Sequence, residues 1–592
     1  MRLLTCMIAT MALIAPGSFA GSPAWADMGE PVFCAANLPA FGMDGKEPQA
    51  RFSVVDVTGP AFGQAIRVEV RERTPDPWGV QLRTPTSTRP LKKGEHLLAI
   101  VNVRCTDGAG MIAAYIHSSV PAWASICSTD ARIGREWKTL YLHGRAKRDA
   151  RPGEYGLVLH LGLQPQTLEF GGITLLNLGT EVDERKLPFT ALTYPGQEPH
   201  APWRKAAQER IEKHRKADLI VAVVDRNGGP VNGATVHVQM QRHAYGFGTF
   251  LDYRPASDSG PDADRLRQWT LKLFNRCTTP IYWADWGWAN PENRVQYLET
   301  AQWAQDRHLP SRGHCIIYPG WQFLPAEVLS LTNNPPALRK RLLEQVIEVT
   351  DATRKFGFAE YDVCNELRHL TEIHGLLGKD AVAEWFEVAR AHAPGSKMAI
   401  NENTILTKGG MTRTEQDNYA EWIQYLIDEG QGPDVIGMQG HFDEALTDPA
   451  TVFQILERFS AFGKPIQITE FDINTRDEAG QARYTRDFLT AVFSHPATEA
   501  FTVWGFWEKK MWQPQGAFFH TDWTPKPNLQ VWEDLIYKQW WTDATLTTGR
   551  DGTCRIRGFL GDYTVTATTG SRQQSIPAKL ISPSTAITIT LN

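Results

Sequence analysis

Tyr361-Asp362-Val363-Cys364-Asn365-Glu366 is an apolar, strand-like run that ends in an amide and a carboxyl group side by side. A second run of the same kind, Pro465-Ile466-Gln467-Ile468-Thr469-Glu470-Phe471-Asp472, delivers another carboxylate at its C-terminal end. A single glutamate in such a place reads as a solvated strand end. Two of them, each closing its own strand, are how a parallel barrel assembles a pair of carboxylates on one rim.

Working outward, strands and helices alternate over residues 244–538. The strand candidates are Tyr245–Phe250, Arg276–Tyr282, Ser311–Ile317, Glu360–Asn365, Lys397–Asn401, Val435–Gln439, Pro465–Thr469 and Phe501–Phe506. Apolar residues recur at helical period in Leu338–Phe356, Ala381–His392, Glu415–Glu429, Thr451–Phe462 and Ala482–Phe493,. Eight strands interleaved with helices predict an α/β fold, a (β/α)8 barrel with its site at the C-terminal strand ends.

The flanks read differently. Residues 27–182 carry short alternating runs between Gly, Pro and Asp turns and predict a β-sandwich,. Their order resembles the sandwich carbohydrate-binding modules attached to glycan hydrolases. Trp78 and Trp123 are either sugar platforms or core residues. Residues 183–216 predict a linker followed by a charged, solvated helix. Two strand runs in 217–243, and further runs in 539–592, resemble the two halves of one small Ig-like sandwich of the carboxypeptidase regulatory-like type. The barrel is then an insertion between those halves.

Composition narrows the function. The 592 residues are 42% hydrophobic and 21% charged, with a formal charge of −5. That balance gives no reason to expect nucleic acid or an anionic membrane as partner. Residues 1–26 predict a cleavable export signal: Arg2, an apolar Leu3–Ile14 segment, and Ala24-Trp25-Ala26 before Asp27, with Ser18-Phe19-Ala20 as an earlier cleavage site,. The expectation is a secreted or periplasmic protein without a membrane span. Seven cysteines follow the signal; their spacing fits no metal site, and Cys105 with Cys127 is a candidate bridge,. No cofactor, metal or obligate protein partner is predicted.

The predicted strand ends present His314, then Asn365 and Glu366, then Asn401 and Glu402, then Gln439 and His441, then Glu470 and Asp472, then Trp504 with Trp507, Glu508 and Trp512 beyond it. Amides and carboxylates bind hydroxyls, and indoles cover the apolar faces of sugar rings. A polysaccharide or oligosaccharide substrate suits this set.

The strings Tyr361 to Glu366, Ile436-Gly437-Met438-Gln439-Gly440-His441-Phe442, Ile468-Thr469-Glu470-Phe471-Asp472-Ile473 and Thr502-Val503-Trp504-Gly505 resemble glycoside hydrolase family 10, mostly endo-β-1,4-xylanases. Arg312-Gly313-His314 and Ile400-Asn401-Glu402-Asn403 match further motifs, and Gly505 to Trp512 is similar to the multidomain, plant-type branch. The resemblance implies that Glu366 is the acid/base and Glu470 the nucleophile of a retaining mechanism. It implies that Asn365 meets the sugar 2-hydroxyl, that Gln439 and His441 orient Glu470, and that His314 and Trp504 line the site of cleavage. Asn401 and Trp512 complete the expected substrate contacts, while Glu402 and Asp472 either act or support neighbours. A charged Glu470 is expected to raise the proton affinity of Glu366.

Two departures bear on the substrate. The family's Glu-Asn-x-x-Lys-Trp is replaced by Thr279-Pro280-Ile281-Tyr282-Trp283-Ala284-Asp285-Trp286, and its Val-Trp-His by Ile317-Tyr318-Pro319. A lysine donor is exchanged for an acidic or aromatic surface. Xylan is the default substrate; the alternatives are another β-glycoside, or a barrel that binds carbohydrate without turnover.

Overall fold

The computed structural model describes residues 29–34, 38–45, 48–85, 87–119 and 124–592. The expected export signal and Trp123 lie outside them. The chain divides into two compact units between Phe189 and Thr190.

The first unit is built on two antiparallel sheets. One has six strands, with Gln166–Asn177 at its centre between Gln64–Val70 and His96–Cys105; the other has five, with Tyr155–His160 between Gln81–Arg83 and Gly110–Ser118. Alternate side chains turn inward, as the two-residue repeat of a strand requires. Leu97, Ala99, Val101 and Val103 of one sheet and Ile112, Ala114 and Ile116 of the other share one core. The Cys105–Cys127 bridge does not form. Gly110 lies against Cys105, whereas Cys127 pairs with Ile116 six residues further along the same strand. At about 3.3 Å per residue that separation is about 20 Å, far beyond the reach of a disulfide.

The second unit holds the closed barrel. Its strands are β1 (Gly246–Phe250), β2 (Arg276–Pro280), β3 (Ser311–His314), β4 (Glu360–Asn365), β5 (Lys397–Glu402), β6 (Val435–Phe442), β7 (Ile466–Ile473) and β8 (Thr498–Val503). All neighbours are parallel, and β8 pairs with β1 to close the ring. Strands covered on both faces read as near-continuous apolar runs, and every residue of β4 and β7 is buried. The intervening helices start on recognisable signals. Asn290, Asn334 and Asp448 accept hydrogen bonds from first-turn N–H groups, and each precedes a proline,.

The segment expected to be a linker is packed chain from residue 190 onward. Leu192 and Tyr194 are buried, and the Tyr194 hydroxyl donates to Asp487 at 2.9 Å. The helix Pro202–His214 is anchored rather than solvated along its basic face. Arg204 grips Asp487 through two bonds of 2.6 Å, and Arg215, just past the helix, donates to the carbonyls of Phe493 and Thr498. This cover explains why most of the helix Glu478–Ser494 is buried.

Both ends of the unit build one small sandwich. Lys216–Asp225 pairs antiparallel with Thr553–Phe559 and parallel with Ser584–Leu591. Thr235–His243 lies between Asp543–Thr547 and Gly561–Thr569. Among the described residues no helix is long and apolar enough to cross a membrane.

Deleting residues 543–592 would strip both neighbours from Lys216–Asp225 and bare Leu219, Val221, Val223, Val236 and Val238, all fully buried. At about 1.5–3 kcal/mol per side chain, the loss rivals the whole ~5–15 kcal/mol net stability of a domain. The expected outcome is rapid cleavage within 216–243 in limited proteolysis, against an intact parent.

Candidate active site

The rim is shaped by irregular pairing. Strand register shifts between Asp362 and Cys364 on β4, between Met438 and Gln439 on β6, and between Ile468 and Phe471 on β7. Each shift sits at or just before a polar rim residue. Such bulges bend the strand and re-aim its side chains, and they concentrate at barrel rims. Glu366 follows β4 at φ 59°, in the left-handed region that non-glycine residues seldom occupy,. The chain therefore turns sharply there, and Leu370 N–H closes onto the Glu366 carbonyl.

Below the rim the barrel is filled by charge. Arg312 on β3 is 1% exposed. Its guanidinium donates to Asp362 Oδ2 at 2.8 Å, to Glu360 Oε1 at 3.0 Å and to Gln467 Oε1 at 3.0 Å. Glu360 also pairs with Arg276. Burial pushes the Asp362 and Glu360 carboxyls up, but the neighbouring guanidinium charges outweigh it and hold both below the usual range. Asp362 in turn lies 2.8 Å from His314 Nδ1, so it sets the pose of the ring whose Nε2 is 3.9 Å from Glu470 Oε1.

The two rim carboxylates have different surroundings. Glu470 Oε1 accepts from Asn401 Nδ2 at 2.7 Å, and Oε2 lies 3.0 Å from His441 Nε2. His441 Nδ1 is 3.0 Å from Asp472. Burial alone would lower the proton affinity of His441, yet Asp472 and Glu470 together lift its pKa to about 10. Glu470 thus rests against an imidazolium. Glu366 Oε1 accepts from Gln439 Nε2 at 2.9 Å, and Oε2 lies 3.2 Å from His369 Nε2; the Tyr318 hydroxyl donates to it as well. Burial pushes this carboxyl up, but the His369, Gln439 and Tyr318 donors more than offset it and leave it below the ordinary value. The expected upward shift from Glu470 is therefore corrected: donors on the carboxylate favour its charged form.

A chain of amides joins the two. Gln439 Nε2 reaches Asn365 Oδ1 at 3.4 Å, and Asn401 Nδ2 donates to Asn365 Oδ1 at 2.9 Å as well as to Glu470. Asn401 is completely buried, with its oxygen accepting from Thr469. It holds Asn365 and Glu470 from beneath instead of facing a ligand.

Aromatic rings form the walls. Trp504 stacks on Phe250 at 4.2 Å and meets His314 edge-on at 5.0 Å. Trp512, 62% exposed, donates from Nε1 to Asp472 Oδ2 at 2.9 Å and meets His441 edge-on. In the loop after β2, Tyr282 packs edge-on against His314 and at a tilt against Trp286, which is half exposed. Trp283 is buried under the Arg341 guanidinium, and Asp285 accepts from Ala326 N–H. The acid that stands near the missing lysine is thus tied to the start of a short helix.

The structure brings Glu366, Glu470, Asn365, His314, Gln439, His441, Trp504, Trp512 and Asn401 to one end of the barrel. Two contributors escaped sequence reasoning, His369 and Tyr318 as donors to Glu366. The signal for the first was the Glu-x-x-His spacing after a strand end; for the second it was the exchange of an indole for a phenol.

Two carboxylates gathered with amides, imidazoles and indoles at the C-terminal mouth of a (β/α)8 barrel are the kind of arrangement that glycoside hydrolysis requires. Residues 293–534 match the family model described as glycosyl hydrolase family 10, and over the barrel the chain is similar to that family. Over 375 residues the chain is 28% identical to the anti-sigma-I factor RsgI6 of Acetivibrio thermocellus, covering 62% of this chain and 47% of that protein. Over 381 residues it is 26% identical to endo-1,4-beta-xylanase 1 of Arabidopsis thaliana, covering 62% of this chain and 38% of that one. The chain thus spans less than half the length of these two relatives. Among solved structures it is similar to xylanase 10B of Thermotoga petrophila, with 21% identity and a TM-score of 0.45 over 50% of this chain and 95% of that one.

The His441 site has a pH signature. A ring raised from the usual value of 6.5 to about 10 contributes stability that is complete below about pH 6.5 and lost as pH rises through about 10. His441→Gln is expected to cost about 3–5 kcal/mol at pH 6. The gap from the parent should narrow steadily toward pH 10.5 in thermal unfolding.

Proposed function

We propose that the protein is an exported glycoside hydrolase that cleaves β-linked polysaccharide, xylan first, with retention at the anomeric carbon. The observation that carries this reading is the pair Glu366 and Glu470. Both are buried at one rim, both are held by donors, and an amide chain couples their positions. Retention needs one carboxyl as nucleophile and one as acid, then base.

In the proposed reaction Glu470, ionised against the His441 imidazolium, attacks the anomeric carbon. Glu366 gives its proton to the leaving oxygen as the glycosidic bond breaks. Water then attacks the glycosyl-enzyme, Glu366 takes the water's proton, and Glu470 leaves as a carboxylate. Asn365 meets the 2-hydroxyl, and His314 and Trp504 bound the sugar at the point of cleavage. Asn401 and Asp472 act from behind, the first on Glu470, the second on His441 and Trp512. Neither chemical step draws on a cofactor.

One observation favours a second reading, a different β-glycoside. The loop after β2 offers Tyr282 and Trp286 as aromatic surface, while Asp285 is occupied with Ala326. Stacking on a ring face replaces a charged grip on hydroxyls there.

Activity on a panel of soluble β-glycans tests both readings. Glu366→Ala is expected to lower kcat/KM on unactivated substrate by about 10²–10⁴-fold, and Glu470→Ala to remove turnover. NMR of the first product should show the β-anomer. Full turnover in Glu470→Ala, or an α-anomer formed first, would sink the mechanism. Activity on another β-glycan but none on xylan would select the second reading.

A further inference from the structure

His369 stands three residues after Glu366, where the left-handed turn folds the chain back on itself. Its Nε2 lies 3.2 Å from Glu366 Oε2, and its Nδ1 lies 3.9 Å from Glu402 Oε1. The ring is thus placed between two carboxyls, one at the rim and one behind it. Glu402 is 1% exposed at the end of β5. Its Oε2 accepts from the backbone N–H of Arg368 at 2.9 Å, and the Arg368 guanidinium lies 4.0 Å from Oε1 and donates to Asn403. The imidazole itself is 38% exposed and open to proton exchange with solvent.

We propose that His369 is a positioning residue for the acid/base carboxyl, holding Oε2 of Glu366 from Nε2, braced from behind by Glu402, and so setting the pH at which Glu366 changes from acid to base. The proposal rests on the reading of Glu366 as acid/base. The two chemical steps make opposite demands on that group. The first needs it protonated, the second ionised. A donor fixed on Oε2 stabilises the ionised form and opposes the upward pull of burial. Gln439 fixes Oε1, so His369 decides the balance at the other oxygen.

Tyr318 reaches Glu366 from the segment after β3, Glu402 faces the ring from β5, and Arg368 adjoins it on its own segment. Burial, opposed by Arg368, raises Glu402 to about 7.

The test reads Glu366 directly. In protein labelled with δ-¹³C glutamate, the Glu366 signal is assigned by its loss in Glu366→Gln and titrated in the full chain. His369→Ala should move the midpoint up by about one to two pH units, the worth of one charge-assisted hydrogen bond. His369→Gln, which retains an N–H donor, should return most of that shift. The basic limb of kcat/KM on soluble xylan should move in the same order. A residue that only fills space would leave both readouts in place. An unmoved midpoint in His369→Ala, with turnover still lost in Glu366→Ala, overturns the role of His369 alone. Full turnover in Glu366→Ala overturns the reading beneath it.

Discussion

A guanidinium sealed inside a barrel is the constraint on which the rest depends. Arg312 has almost no exposure to water, and a buried charge left unpaired costs several kcal/mol, about 3–5 when one partner is removed. Two acids two residues apart on β4, Glu360 and Asp362, share the inward face and meet it. Gln467 from β7 closes the set. The network spans β2, β3, β4 and β7 and fixes how they sit against one another. The same Asp362 that satisfies Arg312 also orients His314, so the floor of the barrel and the rim above it share an atom.

That sharing lets the rim hold two carboxylates apart in behaviour while close in connection. One faces His441, whose proton affinity Asp472 and Glu470 raise together. The other accepts from an amide, a phenol and a histidine that reaches water. The amide chain through Gln439, Asn365 and Asn401 runs between them, and a shift of one is felt by the other. Asn401 makes the point plainly: its side chain touches both Asn365 and Glu470 and presents nothing to solvent.

The barrel was legible because its strands are buried on both faces, and burial writes itself as unbroken apolar runs. Glu360–Asn365 could be read off to the residue. The ends of β2, β3, β6, β7 and β8 could not, because a parallel strand ends where its neighbour stops pairing, which is a property of two segments. The carboxylates were legible as strand-end acids. His369 was hidden because its direction depends on the left-handed turn at Glu366, a conformation that no local propensity announces. Arg312, Glu360 and Asp362 were visible as charges, but a charge reads as solvated until its partner is known. Asp285 and the Cys105–Cys127 pair misled for a related reason: position along the chain does not say which backbone N–H, or which end of a strand, a side chain will meet.

The small sandwich has a consequence in time. Its first two strands leave the ribosome before the barrel, and the strands they pair with leave after it. Until then the edges of Lys216–Asp225 and Thr235–His243 are open while nearly 300 residues fold between them, and an open strand edge is an invitation to the wrong neighbour. Closing so long a loop costs little extra in equilibrium terms, since the entropy grows only with the logarithm of length. The burden is one of waiting. Completion of the sandwich requires that the ring of strands between has brought its two ends together.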